Sequence, residues 1–134
     1  MSTSTTVAPA GNSATCAVPS GVNIAIVRGV IRSEPEYRSL PSGDEVLSFD
    51  LSVRRGERGG DTVPVVWHNP PTSSVRLAEG SDVVVVGCVR RRFFRSAGTT
   101  ASRTEVHADT VVGARAAVRI RSALVSRLEE ISLD

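Results

Sequence analysis

From Glu45 to Arg54 apolar and polar side chains take strict turns, with Leu47, Phe49, Leu51 and Val53 on one side and Ser48, Asp50, Ser52 and Arg54 on the other. Successive side chains of an extended chain point to opposite faces, so a period of two buries one side of a strand and wets the other; a helix would scatter the same residues around its circumference. Four further runs have strand character. NIAIVRGVI (Asn23 to Ile31) is apolar and β-branched, and DTVPVVWHN places Val63, Val65 and Trp67 on one face. Asp82 to Phe94 contains four consecutive valines, and RTEVHADTVV sets Thr104, Val106, Ala108, Thr110 and Val112 opposite Glu105, His107, Asp109 and Val111. Loop and turn signals separate the runs: Glu34, Pro35, Pro41, Ser42 and Gly43; then Gly56, Gly59 and Gly60; then Pro70 and Pro71; then SAGTTAS. Pro64 has no N–H to give a ladder, which marks its strand as an edge or a bulge.

A chain of 134 residues holds one core of this kind. Residues 1–21 have no ionisable side chain except Cys16 and are rich in Ser, Thr, Ala, Gly and Pro, so they read as a disordered arm. Residues 22–113 form the β domain, and residues 114–134 turn helical, with Ala117, Leu124, Leu128 and Ile131 at three- and four-residue spacings flanked by Val118 and Val125. That segment can cap the barrel or meet a protein partner.

Several classes are excluded as expectations. No apolar run reaches the roughly 20 residues that span a bilayer, and the N-terminus has neither a basic start nor a continuous apolar stretch, so the protein is placed in the cytoplasm. Cys16 and Cys88 are too few for a disulfide framework and are expected as free thiols; with His68 and His107 they make no zinc spacing, so neither metal nor cofactor is expected. Both histidines read as surface residues, His107 sharing a solvated strand face with Glu105 and Asp109. There is no nucleophile elbow, no phosphate-binding glycine loop followed by Lys, and no paired carboxylates, so catalysis is not expected.

The charge distribution is more informative than its total. The formal net charge is only +2, and all 16 basic residues are arginines. Yet no acidic residue occurs between Asp82 and Glu105, the stretch that holds Arg90, Arg91, Arg92 and Arg95 around Phe93 and Phe94. Guanidinium groups meet phosphates and aromatic faces meet bases. Period two puts Phe94 with Arg90 and Arg92, where burying the ring would drag charge inward; Phe94 is therefore the candidate to stack, whereas Phe93 and Phe49 are assigned to packing. Trp67 fits a core or a binding position equally. Five strands with a short helix between the third and fourth follow the order of an OB-fold barrel, a fold that commonly binds single-stranded nucleic acid.

With these strands placed, the chain resembles the bacterial single-stranded DNA-binding protein family. The matching stretches are VNIAIVRGVI, SEPEYRSLPSGDEVLSFDLSV, VPVVWHN, LAEGSDVVVVGCVRRRFF and RTEVHADTVV, in family order from Val22 to Val112. The resemblance implies base stacking at Trp67 and Phe94 and basic contacts at Arg90 and Arg92, and it puts Tyr37 in a turn. Taken with the charge pattern, it implies sequence-independent single-stranded DNA binding in replication, recombination or repair. Arg54, Arg55, Arg90, Arg92 and Arg95 would neutralise phosphates. It also implies a homo-oligomer, a tetramer first and a dimer second. The chain departs from the family pattern in RRGERGG, which lacks an aromatic, at Thr62 and Val63, where the family has tryptophan, and at Pro70 and Pro71 in the inter-strand helix. A Gly- and Pro-rich tail with an acidic tip is replaced by the helical segment. Two alternatives follow: a primosome-assembly protein resembling the tail-less primosomal replication protein N, and a degenerate OB-fold scaffold working through the helix from Ala114 to Ile131.

Overall fold

The structure, a computed structural model, describes Cys16, residues 21–129 and Ile131. Six strands are present among them: β1 (Ala25–Ile31), β2 (Glu36–Ser39), β3 (Glu45–Arg54), β4 (Gly60–His68), β5 (Asp82–Ser96) and β6 (Thr99–Gly113). A 3-10 helix (Thr72–Arg76) lies between β4 and β5, and one helix, α1 (Ala117–Glu129), follows β6.

Five of the strands close on themselves. β1 pairs antiparallel with β5, β5 with β6, β6 runs parallel to β4, β4 pairs antiparallel with β3, and β3 returns to β1 through Val30 opposite Ser52 and Ile31 opposite Leu51. β2 continues the line of β1 along β3, with Tyr37 opposite Leu47. Nothing in the sequence marks this strand within the loop expected from Glu34 to Gly43, because all four of its residues are exposed and no apolar alternation runs through it. Tyr37 accordingly lies in a strand, its hydroxyl hydrogen-bonded to the buried Ser74 of the 3-10 helix. Pro64 sits opposite Asp50 of β3, just before the β4–β6 pairing begins at Val65, where a missing N–H costs no ladder bond to β6.

The alternating residues fill the ring as their period demands. Leu47, Phe49 and Leu51 from β3 meet Val65 and Trp67 from β4, Val106 and Ala108 from β6, and Val83 and Val85 from β5. The valine run is unbroken because β5 is covered on both faces: Val83 and Val85 point into the ring, while Val84 and Val86 join Val112 beneath Ile120, Ala123 and Leu124. α1 therefore packs on Ile120, Ala123 and Leu124, while Leu128, which the spacing groups with Leu124, is 58% exposed.

The expectation about cysteine changes. Cys16 and Cys88 are not free thiols: they are joined by a disulfide, with Cα atoms 5.6 Å apart and both residues buried. Seventy-two positions separate them in the chain, so nothing local could announce the pair. The expected disordered arm otherwise lies outside the described residues. Among the described residues no helix is long and apolar enough to cross a membrane.

Candidate nucleic-acid interface

β5 and β6 outrun the ring. β1 stays with β5 only as far as Gly87, and β4 meets β6 only at Val106 and His107, but the β5–β6 ladder runs on to Ser96 opposite Thr99. Residues 89–104 are thus a two-stranded arm paired only to itself. Ala97 and Gly98 turn it, both at positive φ (52° and 82°), the geometry that joins twisted antiparallel strands in two residues. SAGTTAS, expected as a loop, holds this turn and the start of β6; with no core beneath the arm, nothing there imposes an apolar alternation.

Where the arm leaves the ring, the Asn23 amide takes over the pairing that β1 has stopped providing. Its Nδ2 donates to the Val89 carbonyl at 2.8 Å and its Oδ1 accepts from the Val89 N–H at 3.0 Å. Just before this point a β-bulge at Val86/Gly87 brings the backbones together so closely that a Cβ on Gly87 would lie 2.0 Å from the His107 carbonyl oxygen. The arm's root is therefore rigidly set.

The arm carries Arg90, Arg91, Arg92, Arg95 and Arg103 and no acidic residue. Phe93 is 67% exposed and Phe94 36%, so the expectation that Phe93 packs is overturned: no core exists at its position. Each ring is covered by the arginine two residues before it, on the same face. The Arg91 Cζ lies 5.8 Å from the Phe93 centroid, and the Arg92 Cζ lies 5.2 Å from that of Phe94. Odd and even positions of a strand face opposite ways, so the arm shows one arginine–phenylalanine pair on each side. Arg95 reaches the Gly98 carbonyl at the tip, with Nη2 at 3.4 Å.

At the base, acidic partners that are distant in sequence do reach the cluster. Arg92 donates from Nε and Nη2 to the Glu105 carboxylate (3.3 and 3.2 Å), Arg103 approaches it at 3.6 Å, and Arg103 also lies 3.8 Å from Asp50. Glu105 and His107, read as solvated, are buried at 3% and 9% exposure, because β6 is an inner strand between β5 and β4. The His107 Nε2 is 3.2 Å from Glu105, and its ring stacks on His68 with centroids 5.5 Å apart. Burial pushes the Glu105 carboxyl up, but Arg92 and then His107 outweigh it and hold the carboxyl below the usual range. Burial holds the His107 imidazole below its ordinary value, partly offset by Glu105.

These residues floor a groove of about 430 Å³ that crosses β3, β4 and β6, where Arg38, Arg92 and Arg103 alternate with Glu36, Asp50 and Glu105. Because β4 runs parallel to β6, the β3–β4 turn leaves the ring at the same end as the arm, and it carries Arg54 and Arg55 there. Both are exposed, and Arg55 pairs with Asp61 at 3.5 Å. Trp67 lies elsewhere: it is 4% exposed within the core cluster, its ring among inward-facing neighbours and its indole N–H without a hydrogen-bond partner among the described residues. The alternation that places Val63 and Val65 inward carries Trp67 inward with them.

Comparison with known proteins bears on this geometry. No family model matches the chain. It is 33% identical over 99 residues to single-stranded DNA-binding protein 2 of Staphylococcus aureus, covering 67% of this chain and 71% of that protein. It is 32% identical over 99 residues to single-stranded DNA-binding protein 2 of Listeria innocua and 31% identical over 99 residues to the single-stranded DNA-binding protein of Oceanobacillus iheyensis, in each case over 67% of this chain and 62% of the relative. The chain belongs to the single-stranded DNA-binding protein family.

Proposed function

We propose that this protein binds single-stranded DNA without sequence preference, on an OB-fold whose β5–β6 arm is the principal contact surface. The observation that carries the reading is the arm itself: two exposed arginine–phenylalanine pairs on opposite faces of a hairpin without an acidic residue. Family membership supports it, since the relatives are named for this activity. The arginines Arg90, Arg91, Arg92 and Arg95, with Arg54 and Arg55 at the same end of the ring, neutralise phosphates and release condensed counterions. Phe94 and Phe93 each offer a flat ring to a base, worth about 1–3 kcal/mol per stacked base regardless of sequence. Phe93 thus takes the second stacking role that the family resemblance implied for Trp67. The role extends to protecting or organising exposed strands in replication, recombination or repair, and no chemical step is assigned to the chain.

The test is anisotropy of a labelled oligo(dT) titrated with the full chain across a salt series. Affinity should fall steeply with salt, by about 0.7 in log–log slope for each phosphate neutralised. Arg90→Ala/Arg91→Ala should flatten that slope, whereas Phe93→Ala and Phe94→Ala should each weaken binding by roughly tenfold or more while leaving it in place. Absence of binding at low salt would overturn the reading and leave the scaffold alternative.

A further inference from the structure

The helix α1 uses only part of its circumference on the ring. Ile120, Ala123 and Leu124 pack against β5 and β6, yet on the opposite side Val118 is 76% and Val125 52% exposed, and Leu128 beside them is 58% exposed. Val118 and Val125 are seven residues apart, as are Arg121 and Leu128, so the four form a continuous seam of the kind that two helices bury between them. A shallow recess of about 380 Å³ lies along Val118 and Val125, bordered by Arg121, Ser122, Ser126 and Glu129. Polar residues would suffice for a helix face meant only for water.

We infer that the seam mates with the same seam of a second copy in an antiparallel, two-fold symmetric pair. The charges carry this assignment. Arg121 lies four residues before Val125 and Glu129 four residues after it, all on one stripe. In an isologous antiparallel contact, a residue before the centre faces its counterpart after the centre on the other copy. With Val125 on the two-fold axis, Arg121 of each copy faces Glu129 of the other, giving two ion pairs around a central valine contact. Neither residue has an ion pair within the chain among the described residues. About Val125 the stripe is self-complementary in charge, and Leu128 of each copy lies over Ser122 of the other beside the central valine contact.

Thirteen residues rise only about 20 Å, too short a contact to bury the roughly 1,200–2,000 Å² of a standard interface, so the pair is weak in dilute solution. It becomes effective where copies are held close, as two neighbours on one strand would be, at local concentrations on the order of millimolar. The pairing itself does not depend on DNA, so its failure and that of the strand-binding reading are separable.

The test places a thiol on the proposed axis with Val125→Cys in the full chain, where Cys16 and Cys88 are bridged, and joins copies with a short bismaleimide in the absence of DNA. Cross-linked dimer is expected in this background. Adding Arg121→Glu, or separately Glu129→Arg, should lower its yield by roughly tenfold, because each copy then meets like charge twice. An equimolar mixture of the two variants, and the doubly reversed chain, should both restore it. Both positions are exposed, and circular dichroism checks that the helix persists. Yield unchanged by either reversal, or not recovered on mixing, would overturn the self-pairing; a chain that never cross-links would assign the seam to a different protein.

Discussion

Arg92 on β5 grips the buried carboxylate of Glu105 on β6 with two hydrogen bonds, Nε to Oε1 at 3.3 Å and Nη2 to Oε2 at 3.2 Å. The two are diagonal neighbours across the ladder, since Arg92 stands opposite Arg103 and Glu105 opposite Arg90. The pair anchors the arm where it leaves the ring. It also fixes the guanidinium over Phe94, so one arginine both braces the base of the arm and covers this ring.

Glu105→Gln should expose this dual role. The amide keeps the shape but loses the charge that balances Arg92, Arg103 and His107. Arg92 is half exposed, so a loss of about 1–3 kcal/mol in urea unfolding is expected rather than the larger cost of a fully buried broken pair. Affinity for oligo(dT) at low salt should rise in the same variant, because the Glu105 charge no longer offsets that of Arg92 and Arg103. A fall in affinity together with stability would mean that Glu105 acts by holding the arm's shape.

Stability should decline on acidification in two windows. The His107 imidazole is held below its ordinary value of about 6.5, so the unfolded chain binds the extra proton first and stability is lost as pH falls from there towards the folded value. Glu105, Arg92, Arg103, His68 and Arg90 are the charged or titratable groups around it. The Glu105 carboxyl is depressed, so its contribution is present above about 4.3 and disappears as pH falls through its folded value. Urea midpoints at several pH values check this: His107→Gln should remove the upper window and Glu105→Gln the lower.

Trp67 should behave as a core indole. Its emission should be blue-shifted and resistant to iodide, and oligo(dT) should leave it nearly unchanged while anisotropy reports binding. Trp67→Phe should cost roughly 1–3 kcal/mol of stability and leave affinity within about twofold. Strong quenching by the strand would return Trp67 to the binding surface.

The disulfide should be visible without any structure. Alkylation of the denatured, unreduced chain should modify no thiol, and reduction should make both Cys16 and Cys88 reactive. Reduction should also lower stability by about 2–4 kcal/mol, as expected for a bridge that closes so long a loop. Alkylation at both positions before reduction would show the thiols to be unpaired.

The strands that build the ring were legible because each has one face in the core: the period of two at Leu47, Phe49 and Leu51, and the valine run of β5, follow directly from burial. β2 and the outer half of the β5–β6 hairpin were not, since neither packs on the core and pairing there rests on backbone hydrogen bonds that any side chain permits. Of the proposed site, the arginine cluster and Phe94 are readable from charge and alternation, whereas Phe93 reads as packing and only the family resemblance puts Trp67 on the DNA face.

What the amino-acid order determined by itself is local: which residues face together along each strand, where turns fall, and that a basic, aromatic stretch lacks acidic neighbours within the chain's own run. The tertiary structure decided everything that depends on contacts between distant segments. It brought Glu105 to Arg92, turned Trp67 into the core, and joined Cys16 to Cys88 across 72 positions. Side-chain direction repeats every two residues and can be read along a line, but burial and partnership are properties of ring closure, which no local pattern encodes.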